Sequence, residues 1–167
     1  MRALMIYDSR YGNTEQVARA ITGGLRTAMD VDVRRASGIG DALAGPPPDL
    51  LLVGGPTQLH GLSAPLRGCL EALPREAFAG VAVATFDTRY RRSTLLGGSA
   101  ARQAAGRLRR AGGHLVVEPE SFFIERDRPP EGVKRRHELE HPEAGELERA
   151  AAWGRRLARQ PANGEAR

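Results

Sequence analysis

Lysine is almost missing from this chain: among 25 basic side chains Lys134 is the only lysine, and against 20 acids the net charge is +5. A lysine-poor, arginine-rich balance of this kind reads as a compositional habit rather than a nucleic-acid surface. Aromatic residues make up 5% of the chain, too few for the stacking platforms on which single-strand binders rely. The positive balance also argues against a strongly basic partner. Cys69 is the only cysteine, so no internal disulfide can form, and no Cys/His ligand set surrounds it to build a structural zinc site. No apolar run approaches the ~18 residues of a membrane span. Met1 to Asp8 reads as a strand from the start, with no charged leader, long apolar segment or small-residue cleavage site, so a cytoplasmic location is expected.

What is present suits one ordinary domain. The 167 residues are 41% hydrophobic, enough to bury a full core. A single domain over residues 1–160 is expected, followed by a disordered tail at 161–167. Strand and helix signals alternate. Ala3 to Asp8 is a near-continuous apolar run, and from Thr14 to about Met29 the apolar residues Val17, Ile21 and Leu25 recur at helical spacing. Val31 to Arg34 reads as a short strand. After a Gly- and Pro-rich link, Asp49 to Val53 reads as a buried parallel strand that Gly54, Gly55 and Pro56 should end. A helix is expected from Ser63 or Pro65 to about Leu73, a fourth strand from Gly80 to Phe86, and a helix from Ser99 to about Ala111, stopped by Gly112 and Gly113. His114 to Val117 and Ser121 to Ile124 look like a fifth strand interrupted at Pro119, which lacks a ladder donor. The charged segment Glu125 to Pro142 reads as an exposed loop. A last helix, about Glu143 to Arg159, carries Leu147, Ala150, Gly154 and Leu157 on one stripe, with Trp153 beside it as core packing.

Five buried strands separated by helices imply a doubly wound parallel sheet in a three-layer α/β/α arrangement with right-handed crossovers. In such folds ligands bind outside the carboxyl ends of the strands, where the strand order reverses. Three loops fall at such ends: Ser9 to Thr14, Gly55 to Leu62 and Asp87 to Leu96. The first offers Ser9, Tyr11, Asn13 and Thr14, with Gly12 allowing close backbone approach and Arg10 adding charge, directly before a helix N-terminus. Free amides and the helix dipole there suit a phosphate dianion. The same residues suit an Asn/Thr helix cap, and the residues alone weigh the two readings equally. The spacing matches neither the NTPase phosphate loop nor the dinucleotide fingerprint.

The run SRYGNT nevertheless resembles the phosphate loop of the flavodoxin family, in which a small hydroxyl residue, any residue, Thr or Tyr, Gly, any residue and Thr succeed one another. Ser9, Tyr11, Gly12 and Thr14 match in order. The segment GGPTQLHG resembles the family's loop after the third strand. FDTRYRRSTLLGGSAA resembles the loop after the fourth strand in flavodoxin-like proteins with an FDTR run, and GELERAAAWGRRL is similar to their final helix. The resemblance implies a flavodoxin-like five-stranded sheet in the order 2-1-3-4-5 and noncovalent FMN, with the phosphate on Ser9, Arg10, Tyr11, Gly12, Asn13 and Thr14. It further implies that Pro56, Thr57, Gln58, Leu59, His60 and Gly61 edge the flavin ring, while Asp87, Thr88, Arg89 and Tyr90 approach its other side. The second loop departs from the pattern in having no tryptophan or tyrosine, which leaves Tyr90 as the stacking candidate. The third departs in its cations, Arg89, Arg91 and Arg92, which would stabilise a reduced, anionic ring.

The expected function is that of an FMN-binding electron carrier serving a redox partner protein or a small quinone or flavin acceptor, as a monomer or dimer, without nucleic acid. Two alternatives share the fold. One is an NAD(P)H-dependent quinone or flavin oxidoreductase, for which PTQLHG lacks the arginine and aromatic of the quinone-reductase loop. The other is a flavin-free interaction module, against which the intact phosphate loop speaks. A phosphorylated receiver domain is excluded because Val53 and Gly54 stand where its aspartate would be. Lacking a neighbouring carboxylate in sequence, His60 reads as an exposed loop residue rather than a proton donor.

Overall fold

Residues 1–38, 45–58, 61–91, 98–128 and 136–160 are described by the structure, a computed structural model. Along the chain lie β1 (Arg2–Tyr7), α1 (Asn13–Leu25), β2 (Asp30–Arg35), β3 (Leu50–Pro56), α2 (Ala64–Glu71) and β4 (Ala82–Tyr90). They are followed by α3 (Ala100–Arg110), β5 (His114–Leu115), β6 (Glu120–Arg126), β7 (Glu140–Pro142) and α4 (Glu146–Ala158). The sheet runs β2-β1-β3-β4-β6-β7, with β5 also paired to β4, and every pairing is parallel except β6 with β7.

The near-continuous apolar strands follow from burial on both faces. Alternate residues feed two cores: Ala3, Met5, Leu50, Leu52, Ala84 and Phe86 face α1 and α4, whereas Leu4, Ile6, Leu51, Val53 and Val83 face α2 and α3. On the first face Phe86, Phe122 and Trp153 meet edge to face, with ring centroids 6.0–6.3 Å apart. Gly54 makes this possible, since a Cβ there would overlap the Phe86 ring. α1 and α4 pack backbone to backbone, and a Cβ on Gly154 would overlap the carbonyl oxygen of Ile21.

The parallel order of the first four strands is the expected one, and the remainder departs from it. The fifth strand is two pieces: between the Val83–Leu115 and Phe86–Glu120 pairs, β4 advances three residues (86 − 83) while its partner advances five (120 − 115). The surplus lies at Val116 to Pro119, where proline cannot donate to the ladder. A further edge strand, β7, comes from the segment read as an exposed loop, of which residues 129–135 lie outside the described residues. Asp127 N–H donates to Leu139 C=O (3.1 Å), and these residues close a β6–β7 hairpin.

Several boundaries also move. β3 continues through Gly54, Gly55 and Pro56 because β4 itself runs on to Tyr90 and supplies partners as far as Thr88. α1 ends at Leu25, short of Met29, as the chain tightens into bonds from Thr27 to Gly24 and from Ala28 to Leu25. α2 stops at Glu71 ahead of Pro74, and α4 starts at Glu146 because Gly145, at φ +83°, turns the chain into it. The expected tail at 161–167 lies outside the described residues. None of the described helices is long and apolar enough to cross a membrane.

Candidate functional site

The carboxyl ends of β1, β3, β4 and β6 surround a cavity of about 210 Å³. Its walls are Ser9, Arg10, Tyr11, Asn13 and Thr14 from the first loop, Pro56, Thr57 and Gln58 from the second, Thr88, Arg89 and Tyr90 from the end of β4, and Ile124, Arg126, His137 and Glu140 from the hairpin. Three separate stretches proposed from the sequence thus meet in one place.

The first loop is built by Gly12, whose φ of +90° turns the chain into α1 with little steric cost. Ser9 Oγ accepts the Gly12 and Glu15 amides, both at 3.2 Å, whereas Gly12 is the cap residue and Asn13 and Thr14 lie within the helix, so the expected Asn/Thr cap does not form. The Asn13 and Thr14 amides belong to the first turn, where no intrahelical carbonyl is available. Ser9, Asn13 and Thr14 are buried, and Asn13 Oδ1 has no hydrogen-bond partner among the described residues although its side chain lines the cavity. Thr14 and Thr88 share a hydroxyl bond of 2.7 Å that ties the loop to β4. The buried Ser9 and Thr14 hydroxyls and the free first-turn amides, donors at a helix N-terminus, fit an anionic group such as phosphate.

The other proposed residues divide into those at the wall and those behind it. Asp87 is completely buried and lies outside the wall: its Oδ2 accepts Thr57 Oγ1 (2.8 Å), Ser99 Oγ (2.6 Å) and the Ala101 amide (3.2 Å). It therefore joins the second loop to the N-terminus of α3 instead of presenting a carboxylate to a ligand. Gly61, also behind the wall, exchanges backbone bonds with Gln58 at 2.9 and 3.0 Å, which draws the second loop closed. Leu59 and His60 lie outside the described residues, as does Arg92. Arg91 turns away from the cavity to pair with Glu143 (2.5 Å) and cover the Phe123 ring at 4.1 Å. Arg89 is buried in the wall.

Sequence reasoning missed the hairpin. Its wall is a polar cluster in which Arg126 donates to Tyr90 Oη (2.7 Å) and to Glu140 Oε1 (2.5 Å), and His137 Nδ1 lies 3.1 Å from the same oxygen. Burial pushes the Tyr90 phenol up to about 12. Burial alone would also raise the Glu140 carboxyl, but hydrogen bonds from Tyr90, Arg126 and His137 outweigh it and hold the group below its ordinary value. Glu146 behaves alike, burial being outweighed by Arg149 and the Phe123 amide. A depressed carboxylate contributes stability that is present above the ordinary value of 4.5 and lost as pH falls through the lowered folded value. Thermal melts between pH 7 and pH 3 should therefore show a loss below that value, and Glu140→Gln with Glu146→Gln should flatten it. An equally steep acid limb in the double variant would count against this origin.

The hairpin's first strand is the expected one at Ser121 to Ile124, but the carboxylate-rich ELEHP that returns as β7 is not distinguishable from a solvated face in the sequence.

No protein-family model matches the sequence, and no curated protein matches it. Solved structures do. Over 96% of this chain and all of that one, the protein superimposes on oxidised flavodoxin 1 from Bacillus cereus with a TM-score of 0.70 at 19% identity. The chain has the flavodoxin fold. A flavodoxin from the domain Archaea gives a TM-score of 0.66 at 20% identity over 95% of this chain and 96% of that one. The flavodiiron protein of Giardia intestinalis gives 0.61 at 15% identity over 94% of this chain, which corresponds to 38% of that longer chain. In this flavodoxin-like chain the cavity lies at the strand ends where such folds place their ligands, a location the handed topology itself dictates.

Proposed function

We propose that this chain binds FMN noncovalently and carries electrons between redox partners. The observation that carries the reading is the convergence of buried Ser9, Asn13 and Thr14, at the N-terminus of α1, with Thr57, Gln58, Thr88, Arg89 and Tyr90 around one cavity. A flavin, when bound, supplies the redox chemistry and the protein the cradle. Ser9 and Thr14 hydroxyls, the Asn13 carboxamide and the first-turn amides would hold the phosphate. Arg89 and Arg126 add positive charge, partly offset by Glu140. Tyr90, held by Arg126 through its hydroxyl, offers an aromatic surface in place of the one missing from the second loop.

A visible absorption spectrum after incubation with FMN and desalting tests this. Flavin bands should survive desalting. In the double variant Ser9→Ala/Thr14→Ala, loss of two hydrogen bonds to a charged group, ~1.5 kcal/mol or more each, should weaken binding roughly 100-fold. A colourless protein that never retains FMN would favour a flavin-free interaction module. Sustained NAD(P)H consumption with a quinone acceptor would assign the loaded protein to the oxidoreductases instead.

A further inference from the structure

Among the described residues a ring stack joins the β6–β7 hairpin to the phosphate loop. The Tyr11 and His137 rings lie parallel, 3.9 Å between centroids and 6° between planes. The Arg10 guanidinium lies 5.3 Å from the Tyr11 ring centroid, so a cation and two rings stand in a short stack. His137 is held in register by Glu140, which is itself bound to Arg126, so the ring is fixed from the hairpin side rather than resting loosely. Both rings of the stack line the cavity. Yet each stays about half exposed, with Tyr11 at 46% and the His137 side chain at 52%, which places the pair at the rim and not in the core. The stack therefore bridges the first loop and the hairpin at the rim of the cavity.

From this geometry we propose that the Tyr11–His137 stack makes the site selective for a flavin mononucleotide over an adenylated one. The proposal rests on the FMN reading above. A phosphate seated on Ser9, Asn13 and Thr14 lies beside Tyr11. A terminal phosphate fits behind the stack, whereas a second phosphate and adenosine joined to it must part the two rings or leave the cradle. Selectivity here comes from a steric element set against the larger ligand, with no new contact to the smaller one. Tyr11 and His137 act as specificity-determining residues, and Glu140 and Arg126 position His137.

Dissociation constants for FMN and FAD, read by quenching of flavin fluorescence, test the proposal in wild type, His137→Ala, Tyr11→Ala, the double variant and His137→Phe. Wild type should prefer FMN by about 100-fold or more, and either alanine should cut that preference about tenfold, chiefly by tightening FAD. The double variant should do no more than the singles, because they remove one contact. His137→Phe keeps a flat ring and should keep the preference. Thermal melts accompany each variant, and Tyr11→Ala leaves the hairpin sequence intact should His137→Ala loosen it. An unchanged FMN-to-FAD ratio in both alanine variants, with FMN still bound, overturns the specificity role while leaving the FMN reading in place. Wild-type protein that retains neither flavin overturns both.

Discussion

Asp87→Ala should destabilise the protein by about 4 kcal/mol, lowering its melting temperature by roughly 10 °C. The carboxylate is fully buried and accepts from two hydroxyls and one amide. Removing it strands the buried Ala101 amide, at about 1–3 kcal/mol, and leaves the part-buried Thr57 and Ser99 hydroxyls without their shared acceptor. The N-terminus of α3 also loses the anion that complements its dipole, worth about 0.3–1 kcal/mol. Asp87→Asn keeps one acceptor oxygen and should cost roughly half as much. The effect should extend to the ligand, since Thr57 at the cavity wall is bonded to both Asp87 and the Ala100 amide. FMN affinity should therefore fall in Asp87→Ala although the side chain lines no part of the cavity. Denaturant midpoints and FMN titration check both arms. A variant within 0.5 kcal/mol of wild type would mean that the hydroxyls find other partners and that the network is dispensable.

The position of Asp87 illustrates what could be read in the sequence and what could not. The FDTRY run is adjacent to the site in sequence, and the strand-end rule locates it correctly. Whether a residue there faces the cavity depends on strand parity, which a reading that ends the strand at Phe86 cannot supply. With β4 continuing to Tyr90, Thr88 and Tyr90 fall on the α1 side and Asp87 on the α3 side, while Arg89, of the same parity as Asp87, still reaches the wall near the strand's end. The first loop was legible because a local motif and a helix start coincide at Gly12. The first four strands were legible because burial on both faces writes an unbroken apolar run. The hairpin was not, since its strand pairing and its contact with Tyr11 are tertiary: a residue pair 126 positions apart (137 − 11) leaves no local pattern. Pro119 was read correctly as an interruption, but the lone break concealed that the chain rejoins β4 two residues out of step and then folds back.

Trp153→Ala should cost about 4 kcal/mol, the usual toll for deleting a large buried aromatic, while changing the intrinsic affinity for FMN little. The side chain is 3% exposed and touches the Phe86 and Phe122 rings edge to face. Beyond the lost area, each such ring pair contributes about 0.5–1.5 kcal/mol. The cavity left behind cannot collapse easily: α4 is held against α1 by backbone contact at Gly154 and Gly24, and Phe86 and Phe122 belong to paired strands. Trp153→Phe restores part of the volume and one ring partner and should recover at least half of the loss. Circular dichroism is the readout because Trp153 is the only tryptophan and its removal abolishes that fluorescence. The contrast with Asp87→Ala is the informative part. Both substitutions cost similar stability, but Asp87 is bonded to a residue of the cavity wall, whereas Trp153 supports the sheet from the face of α4. Below the melting transition, FMN affinity should therefore separate them: weakened in the aspartate variant, near wild type in the tryptophan variant. Equal weakening in both would show that the cradle responds to global stability and not to the Asp87 network.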